Sequence, residues 1–287
     1  MKNKEYKIYS EKIKTEKNIA ICSDIHISQQ TKKEKLIKIL DTLNEIKPTH
    51  IVLPGDLYNV DTTTVYGDGY YNDNLKKFIN ELTEIADTYY VRGNNEISSY
   101  FLPKWLINNT NQKIHVLCEE IDESKNRYFK TEDMTISGIK FDSNFYRLNE
   151  NNKCSEIIYK YTKYLEKLSK HCGSKDFNIL LCHDPIIQKA MLYYKNYFLK
   201  KFNFDLIISG HNHGGLFPEW MRPLLKLAGT NIEQAYPTYT KGMIINGKNQ
   251  YHIISEGITK FHSNSESLKI LENYCEGTIE NVRILKK

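Results

Sequence analysis

Short apolar runs that end on a polar side chain recur along this chain, and they constrain its fold more than any other feature. The first run, over residues 18–23, leads to Asp24, and an amphipathic stretch over residues 31–47 follows it before Pro48. The letters HIVLPGD repeat the pattern and end at Asp56. Apolar runs that alternate with helical periodicity are typical of buried parallel strands joined by helices. The pattern therefore predicts an α/β fold built from β-α-β units.

The rest of the chain predicts further strands and helices of the same kind. A second amphipathic helix is predicted from Leu75 to Ala86, and a third over residues 155–171. Strands are predicted at TYYVRGN, KIHVLCEE, DMTISGIKF, FNILLCHDP and FDLIISGHNH. The C-terminal YTKGMIIN, QYHIISEG and ENVRILKK predict antiparallel strands joined by turns such as NGKN. No linker rich in Pro, Gly or Ser divides the chain, so we predict a single domain over residues 1–287.

The composition indicates a globular chain with reduced cysteines. Hydrophobic residues make up 40% of the 287 residues and charged residues 26%, which is ordinary for a folded domain. None of the six cysteines forms a CxxC pair, and residues 1–18 are polar, without the apolar segment of a signal peptide. No apolar stretch is long enough to span a bilayer. We therefore expect a cytoplasmic protein.

The net charge of +5 favours a small anionic partner, such as a phosphorylated substrate. Only five of the forty basic residues are arginine, the residue that pairs most readily with phosphates and bases. The sequence therefore predicts no dedicated nucleic-acid surface, and it makes no prediction about the oligomeric state.

Seven potential metal ligands follow the ends of five of the apolar runs. In open α/β sheets, loops that leave the carboxyl ends of strands form the binding sites, so these side chains are expected to converge. Their mixture of carboxylate, amide and imidazole suits two adjacent divalent cations, with Mn, Fe and Zn all compatible. The short-spaced cysteines of a structural zinc site are absent from the sequence. The seven candidates are Asp24, His26, Asp56, Asn94, His183, His211 and His213.

Each candidate also has an ordinary structural interpretation when it is considered alone. Asp56 and Asn94 follow glycines, where a turn or a helix cap is common. His183 precedes Asp184 and Pro185, a pair that is typical of a helix N-terminus. Five such clusters at five strand ends are much harder to explain as turns, so the joint pattern favours a metal site.

The order DxH, GDxxN, GNxE, H, GHxH over residues 24–213 resembles the calcineurin-like metallophosphoesterase superfamily. This resemblance implies a four-layer α-β-β-α sandwich of two mixed sheets with flanking helices. It implies that one metal is bound by Asp24, His26, Asp56 and His213. It also implies that Asp56 bridges to a second metal, whose other ligands are Asn94, His183 and His211. The implied activity is two-metal hydrolysis, in which water attacks phosphorus in line.

One position departs from the pattern of many family members, which carry a histidine where Asn95 stands here. Asn95 can donate a hydrogen bond to a phosphate oxygen, but an amide cannot act as a general acid. We therefore expect good leaving groups, as in a phosphodiester or pyrophosphate bond of a nucleotide or lipid-linked small molecule. Asn95 and Asp56 are the predicted catalytic residues; Tyr58, His115 and Arg92 are alternatives that the sequence does not distinguish.

Two other functions stay open at the level of sequence. A phosphomonoesterase or protein phosphatase is one, although the protein phosphatase signature GDxxDRG is replaced by GDLYNV. A non-catalytic scaffold that keeps the fold and the metals is the other. Residues 216–227 are rich in large apolar side chains, which predicts either packing on the core or a peripheral contact with membrane or lipid.

Overall fold

The structure is a computed structural model that describes residues 1–28, 31–59, 73–96, 101–111, 113–117, 128–141, 154–185, 202–215, 221–227, 240–246, 250–259 and 276–287. Within these ranges the chain forms twelve strands and five helices. The strands are β1 (Lys2–Ser10), β2 (Lys17–Ile21), β3 (His50–Pro54), β4 (Asp87–Val91), β5 (Ile114–Val116), β6 (Tyr128–Lys130), β7 (Met134–Ile139), β8 (Phe177–Cys182), β9 (Leu206–Ser209), β10 (Gly242–Asn246), β11 (Gln250–Ile254) and β12 (Thr278–Lys286). The helices are α1 (Lys33–Ile46), α2 (Asp73–Ile85), α3 (Phe101–Asn109), α4 (Cys154–Ser169) and α5 (Arg222–Leu227).

The strands form two mixed sheets of six strands each. The first sheet has the order β1-β12-β2-β3-β4-β5, with β2 to β5 parallel to one another and β12 antiparallel to β2. The second sheet has the order β10-β11-β9-β8-β7-β6, with β7, β8, β9 and β11 parallel. Its edge strands β6 and β10 are antiparallel to their neighbours. The parallel strands therefore bring their carboxyl ends to one edge of each sheet.

Three apolar clusters define the layers of the molecule. One contains Ile19, Val52, Ile179 and Ile208 and lies between the two sheets. A second packs α1, α2 and α3 on the outer face of the first sheet, and a third packs α4 on the outer face of the second. The predicted four-layer α-β-β-α sandwich of two mixed sheets is thus confirmed.

The first helix shows how the sequence fixes an element beside the site. Leu36, Ile39 and Leu43 recur at helical spacing and are buried against the first sheet. Burying an aliphatic side chain of this size contributes about 1.5–3 kcal/mol. The helix ends at Lys47, whose backbone is left-handed and donates its N–H to the carbonyl of Leu43, and Pro48 cannot continue it.

Several elements differ from the prediction, each for a physical reason. The polar N-terminus forms β1, an edge strand in which only Ile8 is buried, so no apolar run marks it. β10 and β11 pair antiparallel as predicted, whereas β12 leaves them and joins the first sheet, parallel to β1. Periodicity alone cannot tell which sheet a strand joins. The helix α3 and the three-residue strand β6 were not predicted.

None of the helices in the described part of the chain is long and apolar enough to cross a membrane. The prediction of a single domain over residues 1–287 stays a prediction.

Candidate metal centre

The five predicted ligand clusters follow strands from both sheets and meet at the carboxyl ends of those strands. Asp24 and Asp56 follow β2 and β3 in the first sheet, and His183 and His211 follow β8 and β9 in the second. Backbone bonds hold neighbouring loops together, since Asp24 N–H donates to the carbonyl of Gly55 and Gly210 N–H to that of His183. The two sheets therefore present their candidate ligands to one shared space.

A first group of donor atoms is supplied by four residues. One ligand atom from each of Asp24, His26, Asp56 and His213 lies within 4.8 Å of the others. The Nε2 atoms of His26 and His213 are 3.4 Å apart, and their rings are stacked with centroids 5.1 Å apart. His213 Nε2 also lies 3.5 Å from Asp24 Oδ1. This spacing suits a single divalent cation bound between the four atoms.

A second group lies beside the first. Asn94 Oδ1 is 2.9 Å from His183 Nε2 and 2.7 Å from His211 Nδ1. The same two ring nitrogens are 3.3 Å apart. His183 Nε2 is also 3.3 Å from Asp56 Oδ2. The amide oxygen, the two imidazoles and the carboxylate therefore converge on a second position.

Asp56 lies between the two groups. Its Oδ2 atom is 3.3 Å from His183 Nε2 and 3.7 Å from His26 Nε2, which belong to different groups. Asn95 fixes this carboxylate with two hydrogen bonds, from its backbone N–H to Oδ1 at 2.9 Å and from its side-chain amide to Oδ2 at 2.5 Å. The side-chain amide of Asn95 is thus directed at Asp56. The catalytic role predicted for Asn95 stays a prediction.

Hydrogen bonds on the far side of each imidazole determine which nitrogen faces the centre. Nδ1 of His183 donates to the carbonyl of Pro54 at 2.8 Å, and Nδ1 of His213 donates to the carbonyl of Thr259. His26 Nδ1 lies 2.6 Å from Asn59 Oδ1. Because Nδ1 is occupied in all three rings, Nε2 is left to act as the ligand atom.

His211 has the opposite orientation. Its Nδ1 atom faces Asn94, while its Nε2 atom lies 3.9 Å from the buried carboxylate of Asp184. A carboxylate behind the imidazole is a common way to orient a metal-binding histidine. His211 is therefore oriented to bind through Nδ1.

The protonation of these groups in the metal-free protein follows from burial and from charge pairing. Burial alone would lower the pKa of His183, but the charge of Asp56 and the hydrogen bond to it raise that pKa to about 10. Burial opposes ionisation of Asp56, yet His183 and His26 hold its pKa below the usual range. Burial lowers the pKa of His26 to about 4. Without metal, a proton on His183 thus occupies a place where a cation would bind.

The backbone at the candidate ligands is unusual. Six non-glycine residues of the described chain have positive φ, and five of them are Asp24, His26, Asp56, His211 and His213. A left-handed backbone at a residue other than glycine costs on the order of 1 kcal/mol, and such residues cluster at functional sites. The strain therefore coincides with the predicted ligands.

Glycines allow the ligand loops to approach one another closely. A Cβ at Gly210 would lie 1.8 Å from Ser23 Oγ and 2.6 Å from Asp24 Oδ2. A Cβ at Gly93 would lie 2.1 Å from Asp56 Oδ1. No larger residue fits at either position without moving a candidate ligand.

Comparison with known families identifies the fold and the motifs together. The family model described as calcineurin-like phosphoesterase matches residues 17–215. The chain belongs to the calcineurin-like phosphoesterase family. The resemblance seen in the motifs is thus confirmed, and this family uses a binuclear centre of divalent metals.

Relatives of this chain occur in animals and bacteria. A Caenorhabditis elegans protein that bears the name metallophosphoesterase is 27% identical over 248 residues, covering 85% of this chain and 44% of the relative. An uncharacterised metallophosphoesterase from Helicobacter pylori is 26% identical over 245 residues, covering 82% of this chain and 54% of the relative. The chain thus spans about half the length of the curated relatives it matches.

Among solved structures, a similar one is GAP50, described as the anchor in the inner membrane complex of Plasmodium. It is 15% identical with a TM-score of 0.49, covering 88% of this chain and 76% of that one. A dimetal phosphatase from Danio rerio is 12% identical with a TM-score of 0.45, covering 84% and 87% of the two chains.

The residues of the candidate centre fit two cations chemically. Each group offers imidazole nitrogens with oxygen donors, and the imidazoles are held by hydrogen bonds in the orientation that exposes a ring nitrogen. Lone pairs of His26 and His213 face each other at 3.4 Å, an arrangement that a cation between them stabilises. The structure therefore brings all seven predicted ligands together, although their roles as ligands stay predictions.

Four residues that contact the candidate ligands or their loops were not predicted as site residues from the sequence. Asn59 and Asp184 lie behind His26 and His211, and Thr259 lies behind His213. Glu96 is fully buried and accepts hydrogen bonds from the backbone N–H groups of Tyr58 and Gly93 and from a tyrosine hydroxyl. For Asn59 and Glu96, the spacing within GDxxN and GNxE was a usable signal. Thr259 stands 46 residues after His213 and had none.

The three alternatives for a general acid lie in different surroundings. The His115 ring packs against Tyr89 and Phe129, with centroids 4.8 and 3.9 Å away, in the layer between the sheets. Tyr58 and Arg92 are both 4% exposed. The position of the His115 ring between the two sheets gives no support to a role as a proton donor to substrate.

Proposed function

We propose that this chain is a two-metal phosphohydrolase that cleaves a phosphodiester or pyrophosphate bond in a small molecule. The observation that supports this most is the position of Asp56. Its Oδ2 atom lies within 4 Å of a histidine from each of the two donor groups, as a carboxylate shared by two cations would. Carboxylate, amide and imidazole ligands together suit Mn, Fe or Zn.

In this proposal, the first cation is held by Asp24, His26, Asp56 and His213. The second is held by a set that shares Asp56 with the first and adds three further residues, Asn94, His183 and His211. Divalent cations held there would supply a lowered pKa to a water molecule and positive charge to the phosphate oxygens.

The residues of the chain itself maintain this arrangement. Asn95 keeps the Asp56 carboxylate in one orientation through two donated hydrogen bonds. The backbone carbonyls of Pro54 and Thr259 keep His183 and His213 with Nε2 facing the centre. Preorganised ligands need not be reoriented when substrate binds, which is how a rigid site lowers a barrier.

The preference for a diester or a pyrophosphate rests on Asn95. An amide cannot donate a proton to a departing alkoxide near neutral pH. A leaving group that is already stable as an anion, such as a nucleoside phosphate or an aryl oxide, depends least on this proton. We therefore propose that alkyl monoesters are poor substrates.

Turnover of bis(p-nitrophenyl) phosphate and p-nitrophenyl phosphate with added Mn²⁺ tests this proposal. We expect the diester to react faster than the monoester, and Asp56→Asn to lower kcat/KM at least ~100-fold because it removes the shared charge. Asp133→Asn is the matched control, since Asp133 is also a buried aspartate and pairs with Lys17 at 3.1 Å, away from the candidate ligands.

Three results would contradict the proposal in different ways. No turnover of either compound by a protein that carries two metals would favour a non-catalytic scaffold. Faster monoester than diester turnover would refute the inference from Asn95 and favour a phosphomonoesterase. Full activity of the Asp56→Asn variant would refute the two-metal assignment.

A contact with lipid is a second proposal, and it concerns residues 216–227. Residues 216–220 lie outside the described part of the chain. In α5, Leu224 is 56% exposed and Leu227 is 86% exposed, and Arg222 and Lys226 accompany them. Exposed leucines beside basic residues suit the surface of an anionic membrane or the tail of a lipid-linked substrate. We propose that α5 makes this contact, which would place the protein at a cytoplasmic membrane surface.

A further inference from the structure

Residues 255–259, which we call the strap, follow β11 and lie beside the candidate metal centre. They are outside the region that the family model matches, residues 17–215. The strap contacts two separate ligand loops. Its Ile258 and Thr259 N–H groups donate to the carbonyls of Ser23 and Asp24, at 2.9 and 3.0 Å. Its carbonyl at Thr259 accepts the hydrogen bond from His213 Nδ1. One short segment therefore holds ligands that belong to different sheets.

Thr259 makes most of these contacts. Besides its backbone groups, its hydroxyl donates to the carbonyl of Ile25 at 2.8 Å. The ammonium of Lys35 in α1 donates to the same hydroxyl at 2.6 Å and to the same carbonyl at 2.8 Å. The hydroxyl thus links the strap to the loop between Asp24 and His26. Lys35 of α1 hydrogen-bonds to both partners of this link.

The other end of the strap is anchored in the first sheet. Glu280 of β12 is buried and accepts hydrogen bonds at 2.7 Å from the Ser255 hydroxyl and from the N–H of Glu256. Glu256 in turn pairs with Lys4 of β1 at 3.1 Å. Gly257, with φ of +76°, lies so close to Asp24 that a Cβ there would be 3.2 Å from the Asp24 Cβ. Strand β12 therefore supports the centre from outside the matched motifs.

We propose that the strap is a positioning element of the metal centre, with Thr259 as its principal residue. It sets the orientation of His213 and the path of the loop that carries Asp24 and His26, and so it acts on the first cation position. The hydrogen bonds of Ile258 and Thr259 go to the loop that carries Asp24 and His26 and to His213, which line the first position. The inference rests on the proposed two-metal centre.

Binding of Mn²⁺ to the metal-free full chain, measured by titration calorimetry, tests the proposal. Thr259→Val keeps the shape and the backbone carbonyl but removes the hydroxyl. We expect one of two Mn²⁺ binding events to weaken about tenfold, as is typical when a group behind a ligand is lost, and the other to stay unchanged. Thr259→Ser restores the hydroxyl and should restore the affinity.

Thr83→Val is the matched control. The Thr83 hydroxyl is buried and donates to backbone carbonyls of α2, so its loss removes a comparable hydrogen bond far from the strap. We expect it to leave both Mn²⁺ affinities unchanged. Equal Mn²⁺ affinities for wild type and Thr259→Val would overturn the role of the strap while leaving the metal centre intact. Equal losses in Thr259→Val and Thr83→Val would overturn it too, and absence of Mn²⁺ binding by the wild type would overturn the centre itself.

Discussion

His252 makes the stability of the fold depend on pH in a way that can be measured. It lies in β11, is fully buried, and its Nε2 atom is 2.9 Å from the hydroxyl of Ser209. That hydroxyl is 3.2 Å from Cys182 Sγ, so the three side chains link the strands that carry His183 and His211. Nδ1 of His252 has no hydrogen-bond partner among the described residues. Burial therefore lowers the pKa of His252 from 6.5 to about 3.

The direction of the effect follows from proton binding in the two states. Between pH 6.5 and about pH 3 the unfolded chain binds a proton at His252 that the folded chain does not. Stability is thus full above the unfolded pKa and falls as the pH drops toward the folded pKa. From about pH 7 to about pH 5 this one group lowers the free energy of unfolding by about 2 kcal/mol.

The assay is urea unfolding of wild type and His252→Leu at these two pH values, with chelator present so that metal release does not contribute. Other titrating groups are shared by the two proteins and cancel in the comparison. We expect the wild type to lose about 2 kcal/mol more than the variant on acidification. The absolute stability of the variant is not the readout, since leucine also changes the packing. Equal pH dependence of wild type and variant would refute the assignment of His252 as a neutral buried group.

Three further predictions concern the centre and its surroundings. Glu96→Gln leaves one oxygen for three buried donors, so we expect a loss of about 1–3 kcal/mol in urea unfolding; an unchanged midpoint would contradict this. Gly210→Ala forces a Cβ against Ser23, so we expect weaker Mn²⁺ binding in calorimetry and a stability loss of about 2 kcal/mol; wild-type values for both would refute the close contact. Leu224→Ser with Leu227→Ser should abolish co-sedimentation with vesicles containing anionic lipid, and a wild type that stays in solution would refute the lipid contact.

The sequence predicted the ligand-bearing strands well because β3, β8 and β9 are buried on both faces and β2 is buried over its last three residues. Such a strand appears as an apolar run, and the polar residues that follow it lie near the sheet edge. The positions of Asp24, Asp56 and His183 follow from this argument alone. The pattern of apolar runs and the family motifs indicate the same ligands, because the motifs lie at the ends of those runs.

The edges and the supporting contacts were not predictable in the same way. β1 exposes alternate side chains to solvent and so has no apolar run, and β12 pairs with strands more than two hundred residues earlier in the chain. The support of His213 by Thr259 uses a backbone carbonyl, which every residue possesses. Residue type therefore carries no signal for such a contact, and only the fold reveals it.

The backbone strain at the centre indicates why these side chains are present. Asp and His tolerate a left-handed backbone better than most residues, yet glycine would adopt it without cost. Glycine does occupy positive φ in the same loops, at Gly55, Gly214 and Gly215. Five strained residues at about 1 kcal/mol each cost an amount comparable with the net stability of a domain. Because folding alone would favour glycine there, the presence of Asp56, His211 and their neighbours at such positions supports the ligand roles that we propose for them.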